Sequence, residues 1–162
     1  MFAIPKKYQT KIPPVTTDHP LWVLSLGYMT RHYSKYWNPN YVGDPEHKEI
    51  DHAVQALERD FDFKDKVVCV LGSGNGFFGH IAEMYGARKI IGIEKEFWPV
   101  VYTRGLYPNW DIEWGDYSER METLPEASIY LYPDMVKGKR FIPSFHEKHE
   151  RAFKEMERLR NG

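Results

Sequence analysis

Three glycines at alternating positions, Gly72, Gly74 and Gly76, stand with Ser73 directly after a short apolar run. Glu94 follows at the end of a second apolar run. Glycines in such a turn let the backbone bend sharply and let a ligand approach the main chain closely. A carboxylate at the end of the second run can accept hydrogen bonds from both hydroxyls of a ribose. The chemistry these types and spacings offer is therefore recognition of a nucleoside.

The elements that must position these groups read clearly. Val67 to Leu71 is unbroken, apolar and β-branched, as in a strand buried on both faces. From Phe77 the period is helical, with Phe78, Ile81, Ala82 and Tyr85 on one face and Gly86 placed to end the helix. Lys89 to Ile93 is a second buried strand carrying Glu94 at its carboxyl end. In a β-α-β unit of this kind the ligand lies outside the carboxyl ends of the strands.

The order of strand, glycine turn, helix, strand and acid resembles the cofactor-binding half of class I S-adenosylmethionine-dependent methyltransferases. Phe63-Lys-Asp-Lys-Val-Val and Gly86-Ala-Arg-Lys-Ile-Ile-Gly-Ile-Glu94 look most like protein arginine methyltransferases. The likeness covers roughly residues 44–134. It implies that S-adenosyl-L-methionine is the cofactor. Gly72, Ser73, Gly74, Gly76 and Phe77 would wrap its methionine part, Glu94 with Lys95 would hold the ribose, and Asp116 with Tyr117 would meet the adenine. One position departs: the family has an acid two residues before the first glycine, and this chain has Val70.

The remaining segments follow in order. Residues 1–43 form an N-terminal arm and cap, with Pro13-Pro14 extended and a helix expected over Asp18 to Trp37. Leu21, Leu24, Tyr28 and His32 would share its apolar face. Tyr28, Tyr33, Tyr36 and Trp37 interleave with Arg31, His32 and Lys35, so the segment either covers the cofactor or stacks bases and neutralises phosphates. Asn38-Pro-Asn-Tyr41 is similar to the Asn-Pro-Pro-Tyr loop of amino-methylating nucleic-acid enzymes, and also reads as an ordinary turn. Residues 44–143 form the core. Asp44 and Pro45 are expected to start a helix whose stripe is Ile50, Ala53, Val54 and Leu57. A helix over Lys95 to Leu106 and an edge strand over Asn109 to Trp114 come next, the latter alternating Trp110, Ile112 and Trp114. Phe97 and Trp98 stand either beside the adenine or in the core. Ala127 to Tyr132 is the fourth strand. In the family its carboxyl end faces the reactive methyl, which makes Tyr132 and Asp134 the candidates for orienting the acceptor or taking its proton. Residues 144–162 form a C-terminal helix opened by the capping box Ser144-Phe-His-Glu147.

The fold expected is α/β: a truncated Rossmann-like methyltransferase sheet, strand order 3-2-1-4, flanked by helices under an N-terminal helical cap. The family's sheet has seven strands and only four are legible here. The open edge of strand four calls for a homo-oligomer or a partner chain.

Composition bounds the rest. The 162 residues are 42% hydrophobic and 28% charged, with a net charge of −1, which is ordinary for a soluble domain and carries no general polyanion-binding field. The single cysteine, Cys69, excludes a disulfide within the chain and a cysteine metal cluster. His47, Asp51 and His52 read as a solvated helix face and no metal site is expected. No apolar run reaches the ~20 residues of a membrane span. Met1 to Lys7 lacks a secretory layout, so the chain reads as cytoplasmic. Three functions stay open: a methyltransferase whose acceptor includes nucleic acid, a non-catalytic cofactor-binding or scaffold subunit, and a nicotinamide-dinucleotide (NAD) domain matching Gly74-Asn-Gly76-Phe-Phe-Gly79.

Overall fold

A computed structural model describes residues 3–32, 43–120 and 123–131. Four helices and four strands run in the order α1 (Pro20–His32), α2 (Lys48–Asp60), β1 (Val67–Leu71), α3 (Phe77–Met84), β2 (Lys89–Glu94), α4 (Phe97–Leu106), β3 (Asp111–Trp114) and β4 (Ile129–Leu131). The strands form one parallel sheet in the order β3-β2-β1-β4. Among the described residues this is the expected Rossmann-like arrangement, a four-stranded parallel sheet with flanking helices.

The sheet has two apolar faces, as its unbroken hydrophobic strands require. Val68, Val70, Ile90, Ile112, Ile129 and Leu131 share the larger core with buried residues of all four helices. Cys69, Leu71, Ile91, Ile93 and Tyr130 form the opposite face, against which Tyr117, Leu124 and Ala127 pack. At neutral pH Cys69 is a buried thiol: burial pushes its pKa up to about 12.

α3 ends as its glycine dictates. Gly86 is left-handed at φ 96°, its amide donates to the Glu83 carbonyl, and the Ala87 amide donates to the Ala82 carbonyl. These two bonds are a Schellman motif and satisfy carbonyls the helix would otherwise leave open.

Several expectations need correction. α1 buries Leu21, Ser25 and Met29, while Leu24 is 49% exposed. The reason is Trp22, whose Nε1 donates to the Tyr102 carbonyl at 3.0 Å and whose ring stacks on Tyr102. That anchorage rotates the apolar stripe toward α4. Asp44 does not cap α2. It closes a separate turn by accepting the Glu46 amide at 2.9 Å, and the helix begins at Lys48. β3 begins one residue after Trp110, which is stacked on Tyr107 at 3.7 Å and donates to Glu83. α4 begins at Phe97 and β4 begins at Ile129, running to Leu131 among the described residues. Among the described residues β4 pairs with β1 alone. Residues 33–42 and the C-terminal helix lie outside the described residues.

Candidate functional site

The glycine turn is tied to the end of β2 by main-chain geometry. The Ile93 carbonyl accepts both the Gly72 amide (2.8 Å) and the Ser73 amide (3.2 Å). Gly72, Gly74 and Gly76 have φ of 74°, 54° and 88°, the left-handed region that costs glycine little and other residues much. Asn75 Oδ1 accepts the Phe77 amide at 3.0 Å and so caps the first turn of α3, a role the sequence reading missed. Asx capping is the signal that could have shown it.

Glu94 closes this arrangement. Its carboxylate is 7% exposed, with Oε1 accepting the Gly74 amide at 3.0 Å and Oε2 accepting the Glu96 amide at 2.8 Å. Burial raises its pKa above the ordinary carboxylate range, and the two amide bonds and Lys95 pull the other way. Each carboxylate oxygen has a second lone pair, so acceptor capacity remains for a ligand's hydroxyls.

Around Glu94 the walls are aromatic. Phe97 and Trp98 are 4% and 5% exposed and pack edge-on at 4.9 Å, so they belong to the core. Trp114 meets Phe97 edge-on at 5.4 Å and donates Nε1 to the Lys95 carbonyl. From α1, Tyr28 stacks toward Trp98 at 6.4 Å, and its phenol pKa is raised by burial and then by Glu96 and Glu94. α1 thus brings a phenol within electrostatic reach of the buried acid.

The candidate residues separate into groups. Gly72, Ser73, Gly74 and Glu94 come together at the carboxyl ends of β1 and β2, and the Tyr117 ring lies 3.8 Å from where a Cβ on Gly72 would sit. Asp116 follows β3, its Oδ1 accepting the Ser118 amide and hydroxyl at 2.9 and 2.6 Å. Lys95 is exposed. Phe77 is buried in the core at 1% and Gly76 faces Tyr107 and Trp110, so both build the helix packing under the turn. Tyr132 and Asp134 lie outside the described residues.

The donor and acceptor set fits an adenosine: a left-handed glycine turn after β1, a buried carboxylate ending β2 for a vicinal diol, and a second carboxylate beyond β3. Ser73 Oγ adds a buried hydroxyl with no hydrogen-bond partner among the described residues, beneath the same turn. At the position where the family carries an acid, Val70 is 1% exposed within the core, so β1 offers this turn no carboxylate.

No protein-family model matches the chain, and no curated protein matches it. Solved structures do. A candidate RNA methyltransferase from Pyrococcus horikoshii is 23% identical over 67% of this chain and 52% of that one, with a TM-score of 0.44. Trypanosoma brucei PRMT1, in an enzyme–prozyme heterotetrameric complex with AdoHcy, is 24% identical over 64% and 33%, TM-score 0.44. A ribosomal protein L11 methylase from Lactobacillus delbrueckii is 18% identical over 53% and 46%, TM-score 0.41. The chain spans about half the length, or less, of these structures. At such identities the likeness concerns the fold alone, a Rossmann-like parallel sheet with strand order β3-β2-β1-β4.

Proposed function

We propose that this chain binds S-adenosyl-L-methionine across the ends of β1 and β2 and acts as a methyltransferase. One observation carries the reading: the Glu94 carboxylate lies buried against the Gly74 amide, at the junction of glycine turn and second strand. When bound, the cofactor would supply an electrophilic methyl on a sulfonium. The chain's own task is then to hold and orient, because alignment of the reacting groups supplies most of the rate. Glu94 accepts the ribose hydroxyls. Asp116 meets the adenine amine, with Tyr117 beside it. The amides of the turn from Gly72 to Gly76, with Ser73, flank the methionine part. Tyr132 and Asp134, at the carboxyl side of β4, orient the acceptor and take its proton.

Nucleic acid is the acceptor class we favour, on the aromatic and basic residues that begin at Tyr28 and Arg31. A cytoplasmic setting and a homo-oligomer or partner chain on the β4 edge complete this reading. No described helix is long and apolar enough to cross a membrane.

Two observations favour other readings. Val70 in place of an acid favours a subunit that binds the cofactor without turning it over. Gly79 packs against Ile90, where a Cβ would stand 3.0 Å from its Cγ2, and this close helix–strand approach also serves dinucleotide domains. Titration calorimetry with S-adenosylmethionine and with NAD separates them. Binding of the former alone supports the proposal, and binding of NAD alone overturns it. Transfer of labelled methyl to RNA, DNA or protein then distinguishes enzyme from binding subunit.

A further inference from the structure

The outer edge of β3 carries a second feature. A cleft of about 420 Å³ opens there, between the edge strand and the arm preceding α1. That volume lies in the ~300–1,000 Å³ range of small-molecule sites. Lys11 and Thr10 line it from the arm, Arg104 from α4, Glu113 and Trp114 from β3, and Arg120 from the segment beyond. Three cations and one carboxylate line the cleft, in a chain whose net charge is −1, and Asp111 also lies within electrostatic reach of Arg104.

Its groups are held in place. Arg104 donates Nε and Nη2 to the Ile112 carbonyl at 2.9 and 2.8 Å, which anchors the guanidinium and leaves its Nη1 donors uncommitted among the described residues. Arg120 pairs with Glu113. Lys11 is exposed and has no partner among the described residues. Trp114 is pinned by its bond to the Lys95 carbonyl and by Phe97, so the part of the ring that lines the cleft is a rigid surface.

We propose that this cleft binds a phosphodiester of single-stranded nucleic acid, the phosphate held by Lys11 and the two guanidinium groups and the adjoining base resting against Trp114. Fixed guanidinium donors match phosphate oxygens, and aromatic surfaces bind bases with little sequence preference. The cleft opens at the β3 edge and shares Trp114, in register with Glu94 on the neighbouring strand, with the aromatic wall of the cofactor crevice.

The test uses the whole chain without cofactor, so failure of the methyltransferase reading does not affect it. Fluorescence anisotropy follows a labelled oligouridine over a salt series, with adenosine monophosphate and inorganic phosphate as competitors. Lys11→Glu is the probe, and Lys64→Glu, exposed at the opposite end of the sheet, is the control. Thermal melts confirm that both variants fold as the parent does. We expect Lys11→Glu to weaken binding about tenfold at low salt and to make the logarithmic salt slope shallower by about one, with the control unchanged. Equal loss in the two variants, or no oligonucleotide binding at all, overturns the proposal. Displacement by the mononucleotide or by phosphate at concentrations matching the oligonucleotide's own overturns the assignment to a single strand.

Discussion

Gly74 and Glu94 are 20 residues apart, yet the Gly74 amide donates to Glu94 Oε1 at 3.0 Å. The bond joins the turn after β1 to the end of β2. It means that the acid expected to hold a ribose also holds the loop against which the rest of the ligand would lie.

Glu94→Ala removes the acceptor for both the Gly74 and Glu96 amides and for the ribose hydroxyls. Leaving such groups unpaired costs about 1–3 kcal/mol, so S-adenosylmethionine affinity should fall by about tenfold to hundredfold. Calorimetry on protein shown to be folded reads this. Undiminished affinity would remove Glu94 from the site.

Burial places the Glu94 pKa above the usual carboxylate value. A raised pKa favours the protonated acid in the folded state. Its stabilising effect is therefore complete below the ordinary carboxylate range and is lost as pH rises through the raised folded value. The stability of the parent relative to Glu94→Gln should decline across that window and then level off. Urea unfolding midpoints over a pH series measure it, and a difference that grows with pH would contradict the burial argument.

Gly105 packs against the indole of Trp22, where an added Cβ would stand 2.6 Å from Nε1. Alanine normally gains up to ~1 kcal/mol over glycine inside a helix. Here the clash should win, because Trp22 is held by the Tyr102 carbonyl and cannot swing aside. Gly105→Ala should destabilise by about 1–3 kcal/mol, as overpacking does. Trp22→Ala in the same chain should erase that difference. Denaturant unfolding of the four combinations gives the coupling, and additive effects would disprove the contact.

Cys69 is fully buried and its thiol is pushed up to about 12. Thiolate is the reactive form, so the native protein should resist a colorimetric disulfide reagent at neutral pH and react fully in denaturant. Fast reaction of the native chain would mean that the second sheet face is open.

The β-α-β unit was legible because its signals are local. An apolar strand, left-handed glycines, a 3.6-residue stripe and a Schellman glycine each act within a few residues. Both strands, the helix between them and the acid at the end of β2 were readable from them, while the strand order followed from the family resemblance. The start of α2 was misread because Asp44 and Pro45 serve a turn as well as they serve a helix cap, and local chemistry does not choose between the two. The buried face of α1 was misread because Trp22 answers to Tyr102 and Gly105, far along the chain. Tyr107 and Trp110 pack against Gly76, a contact between distant segments that local pattern does not show.

By itself, then, the sequence determined the β-α-β unit, its glycine turn and the acid that terminates the second strand. Tertiary structure alone decided that this acid is buried against the glycine turn, that Tyr28 comes within its field, and that Lys11, Arg104 and Arg120 meet at the β3 edge. The reason is physical. Periodicity and turn chemistry are set between near neighbours, whereas burial, desolvation and the meeting of charges depend on which distant segments the packed sheet brings together.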